Sequence, residues 1–340
     1  MRPLMIGTSA FPTADTDLLK QAGMGWVRQG LGYPFVDRLG GELSPQYLKN
    51  REAVRRFTKA GIQVMGITPG PGGGTYVAQP DGSLKLQWRN RFPAWYGELG
   101  SEEFLRNYEA TCEWLAEDLR GLVPVWQLAN ELDITQFAGP LNPRQACDLV
   151  AAAARGLKHS DPSLIVGHNP AGAPPSLYFF GYLHGRQDCL LDYCGIDGYY
   201  GTWGAGGPEN WAQRVAELYA LTSKPVLINE WGYSSAGGIQ TEEEARTNQP
   251  VCKLRKWRYG WGEGHTPDGQ AKFVAAAFEA LKTQRGALLG VFFYRWEDQE
   301  TCWQCGSPDC PAETAWGLVD KQGQPKPAFY AWRDGARSLT

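Results

Sequence analysis

Two acidic residues stand where apolar runs stop. Val125-Trp126-Gln127-Leu128-Ala129 leads into Asn130-Glu131, and Val226-Leu227-Ile228 leads into Asn229-Glu230. Short apolar runs of this kind read as buried parallel strands, so each Glu is delivered at a strand end with an amide beside it. Two carboxyl groups facing one cleft are what glycosidic cleavage requires: one protonates the departing oxygen, and the other attacks the sugar carbon or activates water. The ordinary reading of a Glu after a strand is a solvated loop carboxylate or a helix cap. Two such residues, three strand–helix units apart, stand out against it.

A second cluster is built of thiols. Cys302-Trp303-Gln304-Cys305 and then Cys310 give C-x2-C-x4-C, and Cys252 precedes them in a loop expected to lie alongside. Four thiolates in adjacent loops suit a closed, structural tetrahedral zinc, with His265 able to replace one Cys; disulfides and free thiols are the alternatives left open. Cys189 and Cys194 bracket a strand start, Cys112 and Cys147 lie on helix faces, and all read as buried free thiols. The four His (His159, His168, His184 and His265) show no HExxH or similar spacing, so no catalytic metal is expected. His168 follows a strand and either lines the cleft or is a satisfied structural His.

Thirty-three Lys plus Arg against 36 Asp plus Glu leave a net charge of −3, which removes any general case for nucleic acid or an anionic membrane surface. The one basic, aromatic run, 253–259, follows Glu242, Glu243 and Glu244 and reads as a solvated loop. No apolar stretch reaches the length of a membrane span, and Met1-Arg2-Pro3 runs directly into strand-like Leu4-Met5-Ile6-Gly7. The expectation is a cytoplasmic protein, or a secreted one if a leader has been removed. The chain carries 14 Trp, 15 Tyr and 13 Phe. Trp88, Trp95, Trp203, Trp231, Trp257, Trp261 and Trp303 fall in loops, where some serve as sugar-stacking faces and others as small loop cores.

Positioning these residues needs a regular frame. Strand-like runs fall at 4–7, 26–31, 62–67, 123–128, 164–167, 193–198, 225–229 and 288–294, with helical spacing at 44–60, 102–119, 143–157, 209–221, 267–284 and 327–338. A short helix at 15–22 and a poorly periodic segment at 175–186 complete the alternation. Eight βα units over 340 residues predict an α/β fold, a (β/α)8 TIM barrel forming a single domain over 1–340. Long βα loops follow strands 3, 7 and 8 (68–101, 231–266 and 295–326) and enlarge the face where barrels keep their sites.

With those residues in register the chain resembles clan A of the glycoside hydrolases, the retaining 4/7 superfamily. "GMGWVRQGLGYPF" resembles the clan's second strand, whose Arg supports the nucleophile, here Arg28. "GIDGYYGTW" is similar to its sixth, whose Tyr bonds the nucleophile; Tyr200 fits this place, with Tyr199 as the fallback. "GVFFYRWEDQ" resembles the eighth, which supplies a Trp beneath the sugar, here Trp296, and "WGLVDKQGQPKPAFYAWR" resembles the closing segment. Many members carry a His two residues before the strand-six Tyr; counted from Tyr200, this chain has Gly198.

The resemblance implies Glu131 as acid/base, Glu230 as nucleophile and Asn130 as partner of the sugar 2-hydroxyl. The acid would sit in a less polar setting against Trp126 or Trp203, and the two carboxyls about 5–5.5 Å apart. Trp203, Trp231 and Trp296 are the expected stacking residues. The expected activity is retaining β-glycoside hydrolysis, endo-acting on a β-linked polysaccharide of glucan, mannan or galactan type. Exo action or transglycosylation on short oligosaccharides, and a non-catalytic glycan-binding relic, are the alternatives. No cofactor is expected for catalysis, and the only partner implied is the glycan.

Overall fold

Residues 3–172, 176–188 and 190–339 are described in the computed structural model of the chain. Eight strands carry the fold: β1 (Met5–Ser9), β2 (Trp26–Gly30), β3 (Gln63–Ile67), β4 (Val125–Gln127), β5 (Ile165–Gly167), β6 (Cys194–Gly198), β7 (Val226–Trp231) and β8 (Leu288–Phe293). They pair in parallel in the order β5-β4-β3-β2-β1-β8-β7-β6. Between β5 and β6 single hydrogen bonds take over from a ladder: Asp192 N–H to Val166 O at 2.8 Å and Asp197 N–H to Pro170 O at 2.9 Å. The ring is thereby closed, and the expected (β/α)8 barrel is the observed fold.

The outer layer is α1 (Thr16–Gln21), α2 (Pro45–Lys59), α3 (Glu102–Asp118), α4 (Pro143–Ser160), α5 (Ser176–Gly185), α6 (Asn210–Thr222), α7 (Pro267–Lys282) and α8 (Pro327–Leu339). Their starts follow from local chemistry. Ser44, Asn142 and Thr266 each cap a helix with a side-chain oxygen and are followed by Pro in the first turn, where the missing N–H costs nothing. Helices α3 and α4 approach closely because Gly156 presents no Cβ; one built there would lie 2.1 Å from the Glu109 carbonyl oxygen.

Inside the barrel Met5, Met65, Val125, Tyr193, Leu227, Leu289 and Phe292 fill the lower layer, while alternate residues such as Val226 and Ile228 face the helices. One break in that alternation shapes the site. Ile228 pairs with Ile196 and Val291, but the next partners are Glu230 with Asp197 and Trp231 with Phe293. Strand β7 therefore carries one extra residue at Asn229–Glu230, a bulge that re-aims side chains at the barrel rim.

The three long loops carry structure of their own. After β3 a hairpin pairs Gly72–Ala78 with Leu84–Asn90. After β7 a two-residue ladder, Gly238–Ile239 with Lys256–Trp257, accompanies helices Glu242–Arg246 and Val251–Leu254, and after β8 comes Pro311–Thr314. Within the basic run, Lys256 pairs with Glu244 at 2.5 Å and Lys253 donates to the Gly82 carbonyl at 2.6 Å. No helix among the described residues is long and apolar enough to cross a membrane.

Candidate active site

The mouth of the barrel opens into a cleft of about 630 Å³ lined by Arg28, Asn130, Glu131, Asp197, Tyr199 and Glu230 at its floor. Arg28, on β2, forms a 2.5 Å ion pair with Glu230 Oε1 through Nη1. Its Nε donates to Gln127 Oε1 at 2.7 Å and its Nη2 to Asn130 Oδ1 at 2.6 Å, so one guanidinium ties β2, β4 and β7 together. Burial works against its charge, but Glu230, Asp197, Tyr199 and Glu131 outweigh that and raise its pKa.

Glu230 receives a second donor, the Tyr199 hydroxyl, on Oε2. That contact settles which tyrosine faces the carboxylate. Tyr200 instead packs edge-on against Trp211, with its hydroxyl 3.4 Å from Arg214 Nε on the cleft wall. Burial and the surrounding carboxylates push the Tyr199 phenol well above its usual range, which keeps it a donor.

Glu131 is placed by backbone in an uncommon conformation. Ala129 and Glu131 have φ of 56° and 43°, left-handed values that cost about 1–3 kcal/mol for such residues unless the surroundings hold them. Here they are held: Thr68 Oγ1 accepts the Ala129 N–H at 2.8 Å, Gln127 Nε2 donates to Ala129 O at 2.8 Å, and Glu131 N–H reaches Asn169 O at 3.2 Å. Asn130 Oδ1 takes three donors, from Arg28, Gln127 and Asn169, which leaves its NH2 end to donate into the cleft.

With Tyr199 in the strand-six place, the residue two positions earlier is Asp197, not Gly198, and Asp197 faces Glu131 within hydrogen-bonding reach. Asn169 Nδ2 donates to Asp197 Oδ2 at 2.6 Å. Both carboxyls are driven well above the ordinary range, Glu131 by burial, then Glu230 and Asp133, and Asp197 by burial, then Glu230 and Glu131. Three carboxyls crowd one guanidinium, and the facing pair Glu131 and Asp197 is shifted toward its protonated forms. Burial and like charge raise the Glu131 carboxyl; of the two indoles expected beside it, Trp126 lies buried with its indole N–H on Val123 O and Trp203 lines the cleft.

Two expected stacking residues are elsewhere. Trp231 is fully buried among Phe278, Phe293 and Trp332, because the β7 bulge turns Glu230 to the cleft and the next residue to the helices. Trp296 is buried against Phe329, with its main-chain N–H on Ser9 O, outside the cleft. Directly after β8 it is Tyr294 that reaches the cleft, its ring 5.9 Å from that of Tyr199. Trp203 does line the cleft, 43% exposed, and Trp303, Phe137 and Tyr200 join it on the walls.

Sequence reading also passed over Gln127, Asn169, Asp197 and Glu313. Glu313, buried on the cleft wall, accepts from Tyr294 at 2.8 Å and Gln304 at 2.6 Å; burial pushes it up to about 7. The signal available for Asp197 was a charged residue inside an otherwise buried strand. His168 is buried and structural: Nδ1 lies 2.6 Å from Leu128 O, and burial lowers its pKa to about 4. Cys252, Cys302, Cys305 and Cys310 come together, their Sγ atoms all within 4.8 Å of one another, while His265 lies outside this group, between the carbonyls of Ser234 and Tyr259. Cys112 and Cys194 are buried free thiols, Cys147 is buried on α4, and Cys189 lies outside the described residues.

No family profile and no curated protein matches the sequence. Solved structures do match in fold. A glucosidase from Croceicoccus marinus aligns with TM-score 0.63 and 19% identity over 100% of this chain and 68% of its own. A GH5_18 structure from Streptomyces cattleya in complex with GlcNAc gives 0.69 and 15% over 99% and 80%. A beta-glucuronidase from an uncultured Clostridium sp. gives 0.61 and 15%, and this chain spans 51% of its length. At these identities the likeness establishes the barrel.

Proposed function

We propose that the protein is a retaining β-glycoside hydrolase. The observation that carries this is the contrast between two carboxyls on one cleft: Glu230 is held by Arg28 and Tyr199, while Glu131 faces a second acid, Asp197. A nucleophile needs orientation and donors, an acid needs a proton near neutral pH, and the two surroundings supply one each. The glycosidase, glucuronidase and sugar-complexed structures sharing the fold support the same reading.

In this reading Glu230 attacks the anomeric carbon and displaces the leaving oxygen, which takes the proton from Glu131. A glycosyl–Glu230 ester results, and Glu131 then removes a proton from the water that cleaves it. The Asn130 amide donates to the 2-hydroxyl. Asp197 positions Glu131 and shares its proton. Trp203, Trp303 and Tyr294 offer flat faces to the sugar C–H groups.

The sequence suggests endo cleavage of a β-linked polysaccharide. One observation bears on the alternative of short oligosaccharides: a cleft of about 630 Å³, with Phe137, Trp303, Tyr200 and Trp203 among its lining residues, is of the size that holds a small ligand. The test is product release from β-glucans, mannans, xylans, galactans and their oligosaccharides, with wild type beside Glu230→Ala. Proton NMR of the first product follows its anomeric configuration. A β-configured product, lost with Glu230→Ala, is expected; an α-configured product would overturn the retaining assignment, and binding without turnover would favour the relic.

A further inference from the structure

We propose that Cys252, Cys302, Cys305 and Cys310 bind one zinc ion, and that this ion fixes the cleft wall carrying Trp303, Gln304 and Glu313. The inference is independent of whether the cleft hydrolyses a glycoside. The four sulfurs come from two loops, one residue from the loop after β7 and three from the loop after β8, and converge within 4.8 Å. Cys252 Sγ lies 3.7 Å from Cys310 Sγ and 4.0 Å from Cys302 Sγ. A tetrahedron with Zn–S bonds of about 2.3 Å has S···S edges of about 3.8 Å, so these two edges match sulfurs sharing a central ion and the other four need close by no more than about 1 Å. A disulfide would need about 2.05 Å.

The surroundings suit thiolates. Main-chain N–H groups of Gln304 and Ala312 hydrogen-bond Cys302 and Cys310. Arg255 Nη1 lies 3.9 Å from Cys305 Sγ, and the same guanidinium donates to Ser307 Oγ at 2.8 Å. Four thiolates on a divalent ion carry net negative charge, and N–H donors with one adjacent cation are what offsets it. Around them Val251, Trp257, Ala312 and Trp316 form an apolar cluster with no open position for substrate, so the site is structural.

Its reach into the cleft runs through neighbouring residues. Trp303 and Gln304 sit between two of the ligands and line the cleft. Gln304 O accepts the Tyr76 N–H of the hairpin at 2.7 Å, and Gln304 Nε2 donates to Glu313, which in turn holds the Tyr294 hydroxyl. The loop after β8 has little regular structure, and the ion would tie it to the loop after β7 at the centre of their small shared apolar cluster.

The experiment is elemental analysis of the whole chain purified without chelator, with thiol counting by intact mass after alkylation. One zinc per chain is expected, retained by Cys112→Ala and lost by Cys310→Ser. Because a Cys310 variant could misfold, wild type is also stripped with a chelator and followed by hydrogen exchange. Peptides from 248–258 and 299–316 should exchange at least tenfold faster, with those from 4–30 unchanged, and added zinc should restore protection. Metal-free protein that takes up no zinc, whether its cysteines are alkylated or paired in disulfides, would overturn the site. Zinc loss without change at 299–316 would overturn its role in the wall.

Discussion

Arg28 and Glu230 meet across the barrel mouth, from β2 and β7, as a buried ion pair of 2.5 Å whose guanidinium also holds Gln127 and Asn130. Neither charge has water to fall back on. Removing one partner of such a pair strands the other and costs about 3–5 kcal/mol. Arg28→Ala should therefore lower stability by that order in urea titration and cut turnover at least about 100-fold. Arg28→Lys should recover part of the stability and little of the turnover, since an ammonium cannot reach three acceptors in a fixed fork.

Tyr199 and Tyr200 differ in what their hydroxyls face, Glu230 for the first and Arg214 for the second. If Glu230 is the nucleophile, as proposed, loss of one of its donors is worth about 10–100-fold in rate on the scale of a hydrogen bond to a charged group. Tyr199→Phe should lower kcat by that factor with little change in KM, and Tyr200→Phe should leave kcat within about threefold. Equal effects of the two on steady-state kinetics would contradict the placement.

The strand ends were legible because buried parallel strands write themselves as continuous apolar runs, and Glu131, Glu230, Asn130 and Arg28 were found from those runs and the resemblance they carried. What was not legible lay where periodicity stops. Strand β6 ends at Gly198, so both tyrosines lie beyond the alternation that would have separated them. The bulge in β7 inserts one residue with no Gly or Pro to announce it, and Trp231 passes from the cleft to the helix side. Asp197 and Asn169 act through each other and through Asn130, a relation that only closure of the barrel between β5 and β6 creates.

Glu131 and Asp197 make stability depend on pH. Both have folded pKa values well above the ordinary 4.5 and 3.8, so the folded state binds protons more tightly than the unfolded chain. Their contribution is complete below about pH 4 and is lost as pH rises through the folded values. Glu131→Gln, neutral throughout, should match wild type in thermal unfolding near pH 4 and unfold at a higher temperature than wild type at pH 8, because it never carries the buried charge. A constant difference between the two proteins at both pH values would sink the idea.

Trp203 and Trp231 should separate binding from folding. Trp203 lies 43% exposed on the cleft, whereas Trp231 is fully enclosed by Phe278, Phe293 and Trp332. Trp203→Ala should raise KM for oligosaccharides by about 5–30-fold, the range of losing about 1–2 kcal/mol of stacking, with an unchanged melting temperature. Trp231→Ala should cost about 3–5 kcal/mol of stability and leave KM unaltered in the fraction that stays folded.

Glu131 and Glu230 are distinguished by the leaving group. If Glu131 supplies the proton, Glu131→Ala should slow hydrolysis of an unactivated β-glycoside by about 10²–10⁴-fold, the usual contribution of a general acid. An aryl glycoside whose phenol leaves without protonation should lose far less in the first step. Its ester on Glu230 should then accumulate, because Glu131 is also the base for water, and added azide should speed turnover by attacking without need of a base. Glu230→Ala should abolish turnover of both substrates while glycans still bind, measured by calorimetric titration. Equal losses on both leaving groups with Glu131→Ala would remove it from the acid role and move the proton to its neighbour Asp197, whose own Asp197→Asn variant would then show the leaving-group dependence.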